Sequence, residues 1–518
     1  MPASGPARRA VLTVALLSAI GAAGADTPLP AELRQALARA QVPPEAISVL
    51  VQEAGSAQPR LAWQAQQPVN PASLFKLATT FAALELLGPG YTWNTPVWLK
   101  GRLRDGVLEG DLVIKGSGDP KLVPERVWLL LRRVQQQGVR EIRGDIVLDR
   151  SAFVAPSGTP ADFDGEPLKP YNVQPDALLL SHKSVLYTFT PDVMNGVARV
   201  GAEPPLHGLQ VDPQVPLLTG PCDDWRAALK ATPADPERMR FAGGFPLACG
   251  ERNWPVAYAD PASYNARLLQ ALWRELGGRL TGSVRDGVAP SVSPSFEVSS
   301  PALAELVRDI NKFSNNVMAQ QVFLTLGLTQ RGSGSPEAAR AALRDWLQLR
   351  LGERIDGLVI DNGSGLSRDA RMSAEQLALL LQAAWRSPVM PELIASLPLA
   401  GVDGTARRAR SGSGRAHLKT GSLRDSAGIA GFALGHNGRR WIVVAIVQHA
   451  NAGQARPALD ALVQWVIEAP TLTSFAAPKD PKDPLRAPWD AQSLRNGRAV
   501  LADTPRDTPS RRNAPPTE

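Results

Sequence analysis

The stretch 70-NPASLFKLATT-80 sets a serine three residues ahead of a lysine, at the start of an apolar run. Asn70 reads as a helix N-cap and Pro71 as the first helical residue. Leu74, Phe75, Leu77, Ala78, Phe81, Leu84 and Leu87 recur at a spacing that predicts a deeply buried helix, stopped by Gly88-Pro89. Residues i and i+3 share a helical face, so Ser73 and Lys76 are neighbours. A hydroxyl at a helix start beside a snorkelling lysine fits this spacing; so does a serine nucleophile beside a lysine base. The stretch alone leaves both open, because S-x-x-K arises easily by chance in a chain of 518 residues.

Two motifs downstream bear on the choice. One is 314-SNN-316, in a break or tight link between two helical stretches. The other is 419-KTG-421, on a predicted strand followed by further strands. Each is weak singly; the ordered set S-x-x-K, S-x-N, K-T-G is specific. The chemistry accounts for the residue types. A free hydroxyl is a poor nucleophile at neutral pH, and Lys76 is placed to activate Ser73 once burial and a nearby charge, that of Lys419, lower its pKa. The Ser73 and Ser422 N–H groups form an oxyanion site in this reading, next to a helix N-terminus. Lys419 and Thr420 hold a substrate carboxylate, Ser314 relays a proton to the leaving amine, and Asn316 bonds the substrate amide. Gly421 gives the substrate backbone close access to the strand.

The chain's start points out of the cytoplasm. Arg8-Arg9, an apolar run from Ala10 to Ile20 and 23-AGA-25 read as a signal peptide, residues 1–25, and so as export to the periplasm. That run is too short to remain as a transmembrane helix, and no other segment is long enough. The net charge of +7 permits contact with polyanions, but export argues against nucleic acid as partner. Cys222 and Cys249 are the only cysteines. An oxidising compartment favours a disulfide; two buried free thiols are the other reading. The five histidines are scattered and no metal-ligand spacing occurs, so no metal or cofactor is implied.

Strand-like runs stand at both ends, 46-AISVLVQEA-54 and 60-RLAWQAQQ-67 at one, 416-AHLKTGS-422, 428-GIAGFALG-435 and 440-RWIVVAIVQHA-450 at the other. With the helical stretches 30–42, 301–327, 335–352, 373–385 and 454–469 they predict one sheet built from both termini. From about Thr95 to Ser293 the chain is rich in Pro, Gly and short strand signals, which reads as one or two inserted domains, with the cysteines in the second. Beyond Pro470 it is Pro-rich, charged and poor in apolar residues, so 471–518 is expected to be disordered.

The chain resembles the low-molecular-mass class C penicillin-binding proteins, serine D-alanyl-D-alanine carboxypeptidases and endopeptidases. The resemblance runs from about Ala31 to Glu468 and includes 110-GDLVIKGSGDPKL-122, 144-GDIVLDRSAF-153, 311-NKFSNN-316, 361-DNGSGLSR-368, 398-PLAGVDGT-405 and 419-KTGS-422. It implies an α/β transpeptidase-like domain, 26–95 with 294–470, and two mostly β insertions between the first two motifs. The first insertion is 96–183 with 262–293, and the second, 184–261, nests in it and carries the disulfide. It implies Ser73 as the acylated serine, Lys76 as its base, Ser314 and Asn316 as the second motif, and Lys419, Thr420 and Gly421 as the third. The middle residue of the second motif is Asn315, where aspartate is frequent; it is expected to face away from substrate. Peptidoglycan stem peptides and cross-links are the implied substrates, and β-lactams the implied acylating inhibitors; the oligomeric state is left open. Two alternatives stand beside this reading. A serine β-lactamase or esterase on the same fold needs a second base for deacylation, and no glutamate is placed for it. A catalytically idle wall-binding protein does not need three intact motifs.

Overall fold

The structure, a computed structural model, describes residues 27–468 apart from residue 156. The signal-peptide and tail readings lie outside the described residues. Both termini build one antiparallel sheet, in the order Ala416–Ser422, Ser426–Leu434, Arg440–Gln448, Ile47–Glu53, Pro59–Trp63. Val49 pairs with Ala445 and Val51 with Val443. Helices cover both faces, which explains why 441-WIVVAIV-447 is apolar throughout rather than alternating. Leu50, Phe432, Val444 and Ile446 pack toward the helix Lys76–Leu86 and its neighbours. Val49, Leu418, Val443 and Ala445 pack toward the helices Ala31–Arg39 and Arg456–Ile467.

The helix after Ser73 begins later than the sequence implies. Residues Ala72–Phe75 form a 3₁₀ turn, and the α-helix runs Lys76–Leu86. Asn70 still caps the turn: its Oδ1 accepts from the Ala72 N–H at 2.9 Å and its Nδ2 donates to the Ser367 carbonyl at 2.8 Å. The tightening follows from crowding. Ala72 has φ of 48°, and its carbonyl lies so close to Gly365 that a Cβ there would sit 1.9 Å from it. Nine residues of the following helix are buried, so it shows no polar face and reads as uniformly apolar.

The long middle leaves and returns at one place. Strand Asn94–Arg104 opens a seven-stranded sheet, and Phe296–Ser299 pairs antiparallel to it, Phe296 opposite Val97. A five-stranded sheet and a three-stranded one lie between them in sequence. The middle is less purely β than expected. Helices Pro124–Gln136 and Tyr264–Glu275 bury Val127, Leu130, Leu131 and Leu268, Leu269, Leu272 at helical spacing. The inserted sheets share one apolar cluster, which joins Leu131 and Leu148 to Phe189, Phe241 and Phe245. Cys222 and Cys249 are disulfide-bonded, with Cα atoms 4.8 Å apart.

Candidate active site

Between Val69 and Leu84 every residue is buried except Ser73, which is half-buried. The 3₁₀ turn lifts this one side chain out of the core while its neighbours Leu74 and Phe75 anchor the turn. Gly421 and Gly428 make room beneath it. A Cβ at Gly421 would lie 3.0 Å from the Pro71 carbonyl and 3.1 Å from Leu74, and one at Gly428 would lie 2.9 Å from Leu74. The absent side chain of Gly421 makes room for the protein's own turn, and Gly421 also lines the cavity that contains Ser73.

Lys76 is fully buried, and its Nζ meets three oxygens: Ser73 Oγ at 2.9 Å, Asn316 Oδ1 at 2.6 Å and the Ser364 carbonyl at 2.6 Å. A neutral amine has two protons. The Asn316 amide oxygen and the Ser364 carbonyl can only accept, so in the neutral amine they would take both, and the lone pair would be left to face the Ser73 hydroxyl. Burial first, and then the charge on Lys419, hold Lys76 well below the ordinary lysine range. The carbonyl comes from the loop 361-DNGSGLSR-368, where Asn362 Oδ1 accepts from both Ser364 N–H and Ser364 Oγ, at 3.0 and 2.8 Å. Thr79 Oγ1 ties this loop to the helix through the Gly363 carbonyl at 2.6 Å. The sequence reading assigns Ser364 no role; its signal is a serine between two glycines in a largely helical region.

The second motif bridges two helices. Ser314 ends Leu303–Phe313 in a left-handed conformation, φ 57°, and Asn316 starts Asn316–Arg331. Asn315 Oδ1 accepts from the Met318 N–H at 3.0 Å, so it caps that helix. Aspartate and asparagine cap equally well, which explains how either residue type serves in the middle position. Asn316 Nδ2 reaches the Tyr171 carbonyl at 3.4 Å, a contact from the inserted region.

The third motif lies on the edge strand Ala416–Ser422. Leu418 N–H donates away from the sheet, to the Pro398 carbonyl at 2.8 Å. The two-residue period of a strand turns the N–H groups of Thr420 and Ser422 toward the same edge. Lys419 is fully buried, donates to Ser314 Oγ at 3.0 Å and to the Thr420 carbonyl at 2.7 Å, and is pulled down to about 7 by burial. Its ammonium group is therefore withdrawn from the surface. Thr420 Oγ1 donates instead to Thr405 Oγ1 at 2.7 Å. The sequence reading assigns Thr405 no role. Ser73, Ser314, Thr420 and Ser422 line one cavity of about 540 Å³. A larger groove, about 1070 Å³, lies against Ser314 and Asn316 without reaching Ser73.

The model of the D-Ala-D-Ala carboxypeptidase 3 (S13) family matches residues 29–469. A D-alanyl-D-alanine carboxypeptidase of Actinomadura sp. (strain R39) is 28% identical over 409 residues, covering 74% of each chain. The D-alanyl-D-alanine carboxypeptidase DacB of Haemophilus influenzae is 25% identical over 395 residues, 73% of this chain and 80% of the relative. A crystal structure of penicillin binding protein 4 (dacB) from Haemophilus influenzae superposes with a TM-score of 0.67 at 22% identity, over 84% of this chain and 98% of that one. The fold is thus that of a penicillin-binding protein, and the chain belongs to the D-Ala-D-Ala carboxypeptidase 3 (S13) family of serine-type carboxypeptidases.

Proposed function

We propose that this chain is an exported, periplasmic DD-peptidase acting through an acyl-enzyme at Ser73. Ser73 Oγ attacks the D-alanyl carbonyl while its proton passes to Lys76 Nζ. The carbonyl oxygen becomes an oxyanion facing the Ser73 and Ser422 N–H groups. The C–N bond then breaks, and the proton travels from Lys76 toward the departing amine, with Ser314 as relay. Water attacks the resulting ester and loses a proton to Lys76; the bond to Ser73 Oγ breaks, Lys76 returns that proton to Ser73 Oγ, and the stem peptide leaves as a carboxylate, its acid proton passing to solvent. Asn316 holds the amine of Lys76 and faces the substrate amide. Thr420 takes the substrate carboxylate; Lys419 acts from behind, through Ser314 and through its field on Lys76. Terminal D-alanine and D-alanyl cross-links are both within this chemistry. Penicillin mimics the scissile amide and stalls at the ester.

The observation that carries the reading is the Lys76 amine, buried, with two fixed acceptors and one remaining contact, Ser73 Oγ. Fluorescent penicillin tests it. The wild-type chain should gain one slowly released label on the peptide containing Ser73, read by mass spectrometry, and Ser73→Ala should gain none. Rapid release of the label would favour a β-lactamase, and a label on another serine would sink the assignment.

A further inference from the structure

Beyond Ser73 the cavity runs past Thr420 into a basin with no assigned role. Its outer wall is the loop 404-GTARRARS-411 and the first turn of the helix Arg456–Ile467. Three arginines line it: Arg407, Arg408 and Arg456. All three are exposed, and among the described residues none of them forms an ion pair. The single acid in the wall, Asp460, accepts from the Arg410 backbone N–H at 3.3 Å, and burial raises its pKa. The basin is therefore cationic.

The loop is held in place. Asp403 joins Lys312 at 2.5 Å and accepts from the Leu399 N–H at 2.7 Å. Gly404, φ 55°, lies against the Lys312 carbonyl, where a Cβ would come within 2.5 Å. Lys312 stands two residues before Ser314, and Asp403 two before Thr405. The proton relay and the basin wall thus share one anchor. With Lys419 withdrawn, the arginines are the accessible positive charges along this cavity, after the neutral pair Thr420 and Thr405.

We infer that this basin binds the leaving strand of a cross-link, a polyanionic peptide, through Arg407, Arg408 and Arg456. The inference rests on the serine-peptidase reading above. Removal of a terminal D-alanine releases a group with one carboxylate, which the threonine pair reaches. Cleavage of a cross-link releases a second stem peptide, whose several carboxylates extend outward. Only the second product has anionic groups to spend on a row of arginines. The basin is then a specificity device that favours cross-link hydrolysis over terminal trimming.

The test compares two substrates on the full-length chain, a pentapeptide-bearing muropeptide monomer and a D-alanyl-cross-linked dimer. R407Q/R408Q should lower kcat/KM on the dimer about tenfold, through KM, and on the monomer about twofold. R407K/R408K should restore most of the dimer rate. Raising salt should weaken dimer turnover in the wild type more than in the glutamine variant, since exposed charges are screened. Equal losses on both substrates, or an unchanged dimer rate, would overturn the inference. If the double variant does not fold, R408Q and Arg456→Gln singly should each shift the dimer-to-monomer ratio two- to threefold, and no shift in either would overturn it. Failure of the underlying reading is separate and visible: the wild type would take no penicillin label at Ser73, and the inference would fall with it.

Discussion

Among the described residues four lysines are buried, Lys76, Lys183, Lys312 and Lys419, and they divide into two kinds of region. In the inserted region Lys183 meets Asp176 at 2.7 Å, and behind the second motif Lys312 meets Asp403 at 2.5 Å. Each of these has a carboxylate that compensates the buried charge. In the cleft, Lys76 and Lys419 have neutral oxygens only, from Ser73, Ser314, Asn316, Ser364 and Thr420. A carboxylate beside Lys76 would keep it protonated and useless as a base. Neutral acceptors orient the amine without holding its proton. On the proposed mechanism, the pairing of a buried lysine thus separates a joint of the scaffold from a reacting group, even within one molecule.

Breaking the contrast at Lys76 should have the largest effect. Lys76→Met removes the proposed base, and acylation by penicillin should slow about 10³–10⁴-fold by stopped-flow, while the unfolding free energy changes by under about 1 kcal/mol. Lys419→Gln should slow acylation at neutral pH about a hundredfold. Its sign with pH follows from the charge it removes. Without Lys419 the pKa of Lys76 rises, more of the base is protonated at pH 7, and the rate should recover as pH rises. In the wild type Lys419 itself loses its proton near 7, so its field is present below that pH and fades above it. A pH–rate profile identical in the two proteins would refute the coupling. Lys183→Met should do the reverse of Lys76→Met. Asp176 would be left with Arg150, at 3.1 Å, as its ion-pair partner. The variant should lose about 2 kcal/mol in urea unfolding yet keep its acylation rate. The smallest effect is expected for Thr420→Val, about tenfold in acylation efficiency, the loss of one hydrogen bond to a charged group.

The residues of the proposed mechanism stand out in the sequence because their side chains have no structural substitute. A serine, two lysines and an asparagine at Ser73, Lys76, Lys419 and Asn316 each bring chemistry that few residues supply. The Ser364 carbonyl was invisible because any residue has a carbonyl; only the glycines around it hint at a loop forced close. The depth of Lys419 was invisible too, since burial of its amine depends on Ser314 and the Thr420 carbonyl, which meet only after folding. In the fold, the sheet of both termini was legible from continuous apolar runs such as 441-WIVVAIV-447. The helices Pro124–Gln136 and Tyr264–Glu275 were missed although their apolar spacing is helical; the Pro and Gly content around them masked it. The proposed division of the insertion at 184 and 261 concerns sheets that share one core, so opening the Cys222–Cys249 bond should disturb both.

The third partner of Lys76 has a genetic consequence. Ser73 and Asn316 can each be replaced by a single codon change, but the carbonyl of Ser364 is encoded by no particular codon and survives any substitution at its own position. The heritable weak point lies one residue on, at Gly365, where φ is 75° and any side chain would collide with the main chain of Ala72. Selection on the amine's geometry is thereby displaced onto a glycine that supplies none of the amine's three contacts.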